Sequence, residues 1–445
     1  MKIVIAGSGE VGRHLAKMLS KENQDITLLD RDQSRLDVID SNYNLMTWNG
    51  SPYSFQSLKD VAVDEADLFI AVTPYETDNI LSCAIAKKLG AAKTVARIDN
   101  SEFIVPKYGG VLKELGVDFM IYPENLAANE IAMSLSHNWA RYWGELHEGK
   151  LLMIGVKVYG NSPLLNTRIK DLPVTTHDFH IAAIKRHNET IIPNGNDEIL
   201  PDDIVYFITT PPFIEDVREL CGKTRRVIHD VIILGGSRIA RRFARLFHDR
   251  FHIKILDYDM AKCEKMATEL PPDCEIVYGD GRDIEVLREN TIYRYDAFMA
   301  LTGSSETNIL ACMTAKEFGV PKTVADVENL QFVDLAENMN IGTTINKKLL
   351  ASSRIYKILI DSDQSNSRFL TLADADVAEI MVHEGARITK KPVSQLKLPF
   401  GMTLAALIRD DKVSLVGGDT QIRAGDYVVV FSLQGTLDKI EKWFS

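Results

Sequence analysis

This chain contains itself twice, and that duplication governs every other reading of it. Residues 2–19, K-I-V-I-A-G-S-G-E-V-G-R-H-L-A-K-M-L, lie over residues 230–247, D-V-I-I-L-G-G-S-R-I-A-R-R-F-A-R-L-F. The later landmarks recur in the same order. I-T-L-L-D ending at Asp30 matches I-K-I-L-D ending at Asp257, and A-D-L-F-I-A-V-T ending at Thr73 matches Y-D-A-F-M-A-L-T ending at Thr302. Asn79 matches Asn308, and T-V-A-R through Arg97 matches T-V-A-D through Asp326. A second unit is duplicated behind each first one: residues 181–207 align without a gap onto 404–430, pairing Arg186 with Arg409, Gly195 with Gly418 and Asp203 with Asp426. The order is A-B-A′-B′.

Within each A unit, short β-branched runs alternate with helical patterns, which implies right-handed βαβ crossovers and a parallel sheet covered on both faces. The B units read instead as short strands joined by turns such as I-I-P-N-G-N and S-L-V-G-G-D-T. The expected fold is α/β: two tandem Rossmann-like, doubly wound parallel-sheet domains at 1–125 and 228–350, each followed by a small, mostly antiparallel α+β domain, at 147–222 and 368–445. Segment 123–136 opens with Pro and Glu and spaces Leu126, Ile131 and Leu135 along one face, so a helix is expected to join A to B, with 346–359 as its counterpart. The polar run 361–367, D-S-D-Q-S-N-S, is the expected linker.

Composition narrows the function classes. With 45% hydrophobic and 25% charged residues over 445 positions, the chain sits near the globular average, at about three domains on length alone. The 51 basic and 62 acidic side chains leave a net charge of −11, which opposes an electrostatic grip on nucleic acid or anionic lipid. Five scattered cysteines with no C-x-x-C pair argue against a disulfide framework or structural zinc and fit a reducing cytosol. No apolar run approaches the roughly 18 residues of a membrane span, and the N-terminal run is too short for a signal peptide.

The chemistry concentrates in the glycine turns. Gly7-Ser8-Gly9-Glu10-Val11-Gly12 follows a predicted strand and opens a predicted helix: the first glycine allows a tight turn, the second a close approach of backbone N–H groups to a pyrophosphate, the third the packing of helix on strand. Phosphates there meet the positive end of the helix dipole. Asp30 ends the next strand, where a carboxylate accepts from ribose hydroxyls, which favours NAD, ATP or ADP over NADP, an inference softened by the neighbouring Arg31. The competing reading makes Asp30 a cap for the helix that starts near Asp32.

The second turn, Gly235-Gly236-Ser237-Arg238-Ile239-Ala240, has Ser237 where the second glycine stood and Ala240 where the third stood, so a Cβ intrudes where a phosphate should approach. Arg238 stands at the start of its helix, near any bound phosphate; Arg241, Arg242 and Arg245 on the same face read as a solvated basic stripe. Thr73 and Thr302, at the ends of the fourth strands, and Arg97, at the end of the fifth, lie within reach of a ligand on the sheet edge. Asp326, the counterpart of Arg97, cannot pair with a phosphate, so the two sites should favour differently charged nucleotides.

No catalytic set accompanies these turns. The one Tyr-x-x-x-Lys, Tyr258 to Lys262, would face the adenosine end; there is no phosphate-loop lysine motif and no H-E-x-x-H, and His177 with His180 lacks metal-binding company. No catalytic and no metal-ligating residue is therefore assigned. A nucleotide sensor accounts for the residues best; an NAD-dependent oxidoreductase and a scaffold holding a structural nucleotide are the alternatives.

Taken together, the duplicated turns, the acids Asp30 and Asp257, the turns Gly50-Ser51 and Gly279-Asp280-Gly281, and the segments T-P-Y-E-T-D-N and T-G-S-S-E-T-N resemble the TrkA family, cytosolic regulatory subunits of Trk-type potassium uptake systems. The resemblance spans essentially the whole chain. It implies regulator-of-potassium-conductance (RCK) domains in a homotetrameric ring beneath a membrane channel subunit of the TrkH type, located in the cytoplasm at the inner face of the plasma membrane, with NAD(H) and the adenine nucleotides ATP and ADP as ligands. Carried over, the first site comprises Gly7, Ser8, Gly9, Glu10, Val11, Asp30, Thr73, Pro74 and Arg97, and the second Gly235, Gly236, Ser237, Arg238, Ile239, Asp257 and Thr302. The family's Asp-Glu-x-Asn turn reads Glu76-Thr77-Asp78-Asn79 and Ser305-Glu306-Thr307-Asn308 here.

Overall fold

The computed structural model describes residues 1–20, 24–40, 45–160, 162–172, 179–187, 189–360, 367–372, 375–433 and 442–444. The first repeat carries strands β1 (Lys2–Ala6), β2 (Asp25–Asp30), β3 (Met46–Asn49), β4 (Leu68–Ala71), β5 (Lys93–Arg97) and β6 (Phe119–Ile121). Between and after them run helices α1 (Glu10–Leu19), α2 (Gln33–Asp40), α3 (Phe55–Asp60), α4 (Glu76–Leu89), α5 (Pro106–Glu114) and α6 (Pro123–Ser136). The small unit behind it has β7 (Tyr142–Leu146), β8 (Leu151–Lys157), β9 (Phe179–Arg186), β10 (Glu189–Ile191), β11 (Ile204–Thr209) and α7 (Ile214–Leu220).

The second repeat follows the same plan. Its strands are β12 (Asp230–Leu234), β13 (His252–Asp257), β14 (Glu275–Tyr278), β15 (Ala297–Ala300), β16 (Lys322–Asp326) and β17 (Thr343–Ile345). Its helices are α8 (Arg238–Phe247), α9 (Met260–Glu269), α10 (Ile284–Glu289), α11 (Ser305–Glu317), α12 (Leu330–Asn338) and α13 (Lys347–Ile360). The last unit has β18 (Ser367–Leu372), β19 (Ala375–Met381), β20 (Met402–Arg409), β21 (Lys412–Leu415) and β22 (Tyr427–Leu433).

By contacts the chain divides into two compact units, 1–132 with 228–359 and 133–227 with 360–445. The first holds both parallel sheets, ordered β3-β2-β1-β4-β5-β6 and β14-β13-β12-β15-β16-β17. That order reverses direction beside β1 and β12, and the crevice at such a switch point is where doubly wound sheets take ligands. The central strands are covered on both faces, so Leu68, Phe69, Ile70 and Ala71 in the first half and Ala297, Phe298, Met299 and Ala300 in the second are all buried, without alternation. Each buried phenylalanine contributes about 2–3 kcal/mol of apolar transfer.

In the other unit, sheets β10-β9-β11-β8-β7 and β18-β19-β22-β20-β21 are antiparallel. Leu151, Met153, Ala182 and Ile208 of the first pack in one core with Val377, Ala405, Ile408 and Phe431 of the second. The repeated arginine and aspartate turn out to be a duplicated ion pair, the aspartate buried and the arginine partly exposed. Arg186 donates to Asp203 through Nε at 2.9 Å and NH2 at 2.8 Å, and Arg409 to Asp426 at 2.7 Å through each. Each carboxylate also accepts a backbone N–H three residues before it, from Leu200 or Arg423, so it closes the turn ahead of its strand. His180 of β9 is half-buried, with its Nε2 3.0 Å from Thr403 Oγ1 of the other sheet, and desolvation there lowers its pKa to about 4. Of the expected linker, residues 361–366 lie outside the described residues and Ser367 opens β18; His177 also lies outside them. All five cysteines are free and buried.

Candidate functional site: two unlike glycine turns

The first turn is built as its glycines foretold. Gly7 has φ of +112°, in the left-handed range, and a Cβ there would press on the backbone of Val72 and Thr73 at 3.0 Å. A Cβ on Gly12 would lie 1.9 Å from the Gly7 carbonyl oxygen, so only glycine lets α1 sit against the turn. A Cβ on Gly9 would meet nothing within 4 Å. The space above it is open, and no side chain caps α1 at Gly9. The first N–H groups of α1 therefore meet no side-chain cap, and Val11 follows on a half-buried position of that first turn.

Asp30 braces this turn. Its Oδ2 accepts from Ser8 N at 2.5 Å and Ser8 Oγ at 2.7 Å, and its Oδ1 from Asp32 N at 2.9 Å. The cap of α2 is Asp32, whose Oδ1 accepts from Ser34 N and Arg35 N. A carboxylate has about four acceptor sites, so Asp30 keeps one on Oδ1 for a hydroxyl.

At the far side of the crevice the repeated asparagine is a clamp. Asn79 Oδ1 accepts from Thr73 N at 2.8 Å and Thr73 Oγ1 at 2.7 Å, while its Nδ2 donates to the carbonyls of Thr73 and Arg97. Asn308 repeats all four bonds with Thr302 and Asp326. The threonine hydroxyls, expected to face a ligand, are thus donated inward, and the clamp fixes the ends of β4 and β5, or β15 and β16, side by side. Pro74 is exposed beyond Thr73. Arg97 donates from NH2 to Asp99 at 3.1 Å, and its Nε is buried without a partner.

The second turn differs in three ways. Ser237 caps α8, its Oγ accepting from Ala240 N at 3.4 Å, so a hydroxyl already occupies one helix N–H that is free in the first half. Gly236 donates to Asp257 Oδ2 at 2.7 Å, but a Cβ there would lie 2.5 Å from the Met266 side chain, which packs where Ser8 has its hydroxyl. Asp257 is 4% exposed and also accepts from Asp259 N, with Lys262 Nζ 3.9 Å away, which gives the Tyr-x-x-x-Lys lysine a structural place. Gly235 repeats Gly7 with φ of +95°, and Ile239 is buried against the core.

Arg238 stands at the start of α8 as expected, but its side chain leaves its own turn. It meets Glu124 at 2.8 Å and Asp99 at 3.5 Å, both in the first half. Glu10, its counterpart on α1, is paired with Lys348 of the second half. Each helix that opens a turn thus reaches the opposite half with its first residue, and the signs are exchanged. Lys347 and Lys348 both meet Glu328, and Arg242, read as solvated, donates to Asn125 Oδ1 at 2.9 and 2.7 Å. Asp326 faces this network. Burial, with Glu328 and Glu124 adding to it and Lys347 and Lys348 opposing, pushes its carboxyl up to about 7.

A second exchange lies after β2 and β13. Arg31, after β2, stacks on Tyr53 at 4.4 Å and donates to Ser51 Oγ. In the other half Tyr258 stands in the place of Arg31 and Arg282 in that of Tyr53, 5.6 Å apart, with Arg282 fixed on Asp280 at 2.6 Å. Aligning the two halves places Arg31 over Tyr258 and Tyr53 over Arg282, but nothing in the sequence says that either pair is in contact. Among the described residues no cluster of three or more His, Cys, Asp or Glu is placed to hold a metal, and no helix is long and apolar enough to cross a membrane.

Two duplicated Rossmann units, each followed by an antiparallel unit, give this chain the fold of tandem RCK-domain structures. The GsuK RCK domain matches with TM-score 0.61 at 15% identity, covering 100% of this chain and 94% of that one, and the GsuK channel bound to NAD with TM-score 0.62 at 15%, covering 100% and 78%. The TrkA-N domain family matches residues 3–123 and 231–347, and the TrkA-C domain family residues 153–222 and 377–445. The Trk system potassium uptake protein TrkA of Vibrio alginolyticus is 30% identical over 440 residues, covering 97% of this chain and 95% of its own length. The chain belongs to the TrkA family.

Proposed function

We propose that this protein is the nucleotide-sensing regulatory subunit of a Trk-type potassium uptake system, which couples binding of NAD(H), ATP or ADP to the arrangement of its two Rossmann units and so to potassium flux. The observation that carries this reading is the placement of Glu10 and Arg238. Both open a helix at a glycine turn, and both are ion-paired to the opposite half, so a ligand seated on either turn lies beside the contacts that join the halves.

The first turn suits a pyrophosphate through Gly7, Ser8, Gly9 and the uncapped start of α1, with Asp30 for a ribose hydroxyl and the unpartnered Nε of Arg97 as a further donor. The second, narrowed by Ser237 and Met266, would hold a nucleotide less tightly. A ligand shifts such an equilibrium only by its difference in affinity for the two arrangements, about 1–3 kcal/mol in typical allostery. The reading needs no chemistry on the nucleotide, in keeping with the regulatory rather than enzymatic role expected of the family.

Self-association into a ring is part of the reading. Leu81, Tyr108, Val111 and Leu115 around α4 and α5 are exposed, as are Leu310, Met313, Leu335 and Met339 around α11 and α12. Duplicated apolar faces of this kind suit contact between copies. The ring would work in the cytoplasm, docked on a membrane subunit of the TrkH type. The test is nucleotide-dependent potassium flux in vesicles carrying both subunits: Arg97→Glu should weaken nucleotide affinity and blunt the response, and unchanged regulation would remove Arg97 from the site.

A further inference from the structure

A cleft of about 700 Å³ separates α1 of the first half from the sheet edge of the second. Arg13, His14 and Lys17 form one wall, and Ser304 and Ser305 at the start of α11 form the other. The charges at its end cancel: Lys348 is held between Glu10 and Glu328, and Glu328 also meets Lys347 at 2.5 Å. Glu306, at its edge, accepts from Ser304 Oγ at 3.0 Å.

Arg13 and Lys17 meet no carboxylate among the described residues. Their counterparts in α8, Arg241 and Arg245, both reach Glu269, at 3.8 and 3.0 Å. Like charges four residues apart share a helix face and repel, which an anion between them would relieve. Opposite them lies the start of α11, where Ser304 Oγ already accepts from Thr307 N at 3.1 Å, and Ser305 Oγ, which accepts from Asn329 N at 3.2 Å, keeps its hydrogen to donate. Burial, with Lys17 adding to it, holds His14, between the two cations in sequence, below its usual pKa.

We propose that this cleft is a phosphate-binding site shared by the two halves, with Arg13 and Lys17 as its cations and Ser305 at the N-terminus of α11 as its donor. Two sources of phosphate fit. One is the distal phosphate of a nucleotide seated on the second turn, since Gly303 in the cleft adjoins Thr302; this source rests on the function proposed above. The other is a free phosphate compound, which does not. Either would tie the halves together through one ligand.

Calorimetric titration of the full chain with inorganic tripolyphosphate, ATP and AMP tests this, comparing wild type with an Arg13→Gln, Lys17→Gln double variant and a charge-matched Lys59→Gln, Lys412→Gln control. The double variant should weaken tripolyphosphate about tenfold or more while the control stays within about twofold. Competition between tripolyphosphate and ATP, with AMP affinity untouched by the double variant, marks the nucleotide as the source; undiminished tripolyphosphate binding beside saturating ATP marks a free compound. Tripolyphosphate binding without any nucleotide binding sustains the cleft and overturns the nucleotide reading. Equal affinities of wild type and double variant for both tripolyphosphate and ATP, or no binding of either, overturn the proposal.

Discussion

Arg238 reaches Glu124 at 2.8 Å, joining the first residue of α8 in the second Rossmann half to the second residue of α6 in the first, and Glu124 is fully buried there. The mirrored contact, Glu10 to Lys348, carries the opposite signs. Neither half can therefore dock on a copy of itself with the same pairing, which fixes the order of unlike halves.

Removing Arg238 strands a buried carboxylate with, among the described residues, only Lys347 at 3.9 Å. Arg238→Ala should cost about 2–3 kcal/mol in the unit that holds both parallel sheets, less than a fully buried pair because Arg238 is half exposed. Denaturant unfolding followed by hydrogen exchange of β5 and β16 measures it, and Arg238→Lys should recover part of the loss.

Gly12 and Ala240 occupy equivalent positions under different constraints. Gly12→Ala would drive a Cβ to 1.9 Å from a backbone oxygen, so α1 must move away from its turn at a cost of about 1–3 kcal/mol, and nucleotide affinity should fall with it. Ala240→Gly should leave the second turn in place and cost no more than about 1 kcal/mol of helix propensity. Thermal unfolding of the two variants separates these outcomes.

The Asp326 carboxyl, raised from 3.8 to about 7 by burial, gives stability a definite pH dependence. Between those values the folded chain keeps a proton that the unfolded chain has released, so this group's contribution is complete below the lower value and lost as pH rises through the upper one, at up to about 1.4 kcal/mol per pH unit. Asp326→Asn should remove that slope and gain on wild type from pH 5 to pH 8. Parallel wild-type and variant curves in urea would contradict it.

In the small units, Arg186→Met leaves Asp203 buried without its bidentate partner and should cost about 3 kcal/mol. Arg409→Met should cost a similar amount through Asp426, because the two pairs are duplicates. Differential scanning calorimetry of each variant checks the equivalence.

The fold was legible because it rests on short-range periodicity and on repetition. β-branched runs, the glycine turns and the Pro-Glu start at 123 predict the strands, turns and α6, and the duplication exposes landmarks no single copy would. Side-chain direction was not legible. The sequence places Arg238 beside its own turn because the helix start is local, whereas its partner is 114 residues away, at Glu124. Thr73 and Asn79 are visible as a repeated pair, but nothing in spacing says that the hydroxyl is donated inward. The exchanged Arg31–Tyr53 and Tyr258–Arg282 stacks depend on strand order, which only the fold supplies.

Calorimetry of the full chain with NADH, ATP and ADP, with the nucleotide recovered afterwards and assayed, addresses the sensing account most directly. It predicts reversible exchange at two sites per chain, the tighter abolished by Gly9→Val and the weaker strengthened by Ser237→Gly, with every nucleotide recovered unaltered. Absence of exchange for all three, or recovery of a chemically changed nucleotide, would contradict it.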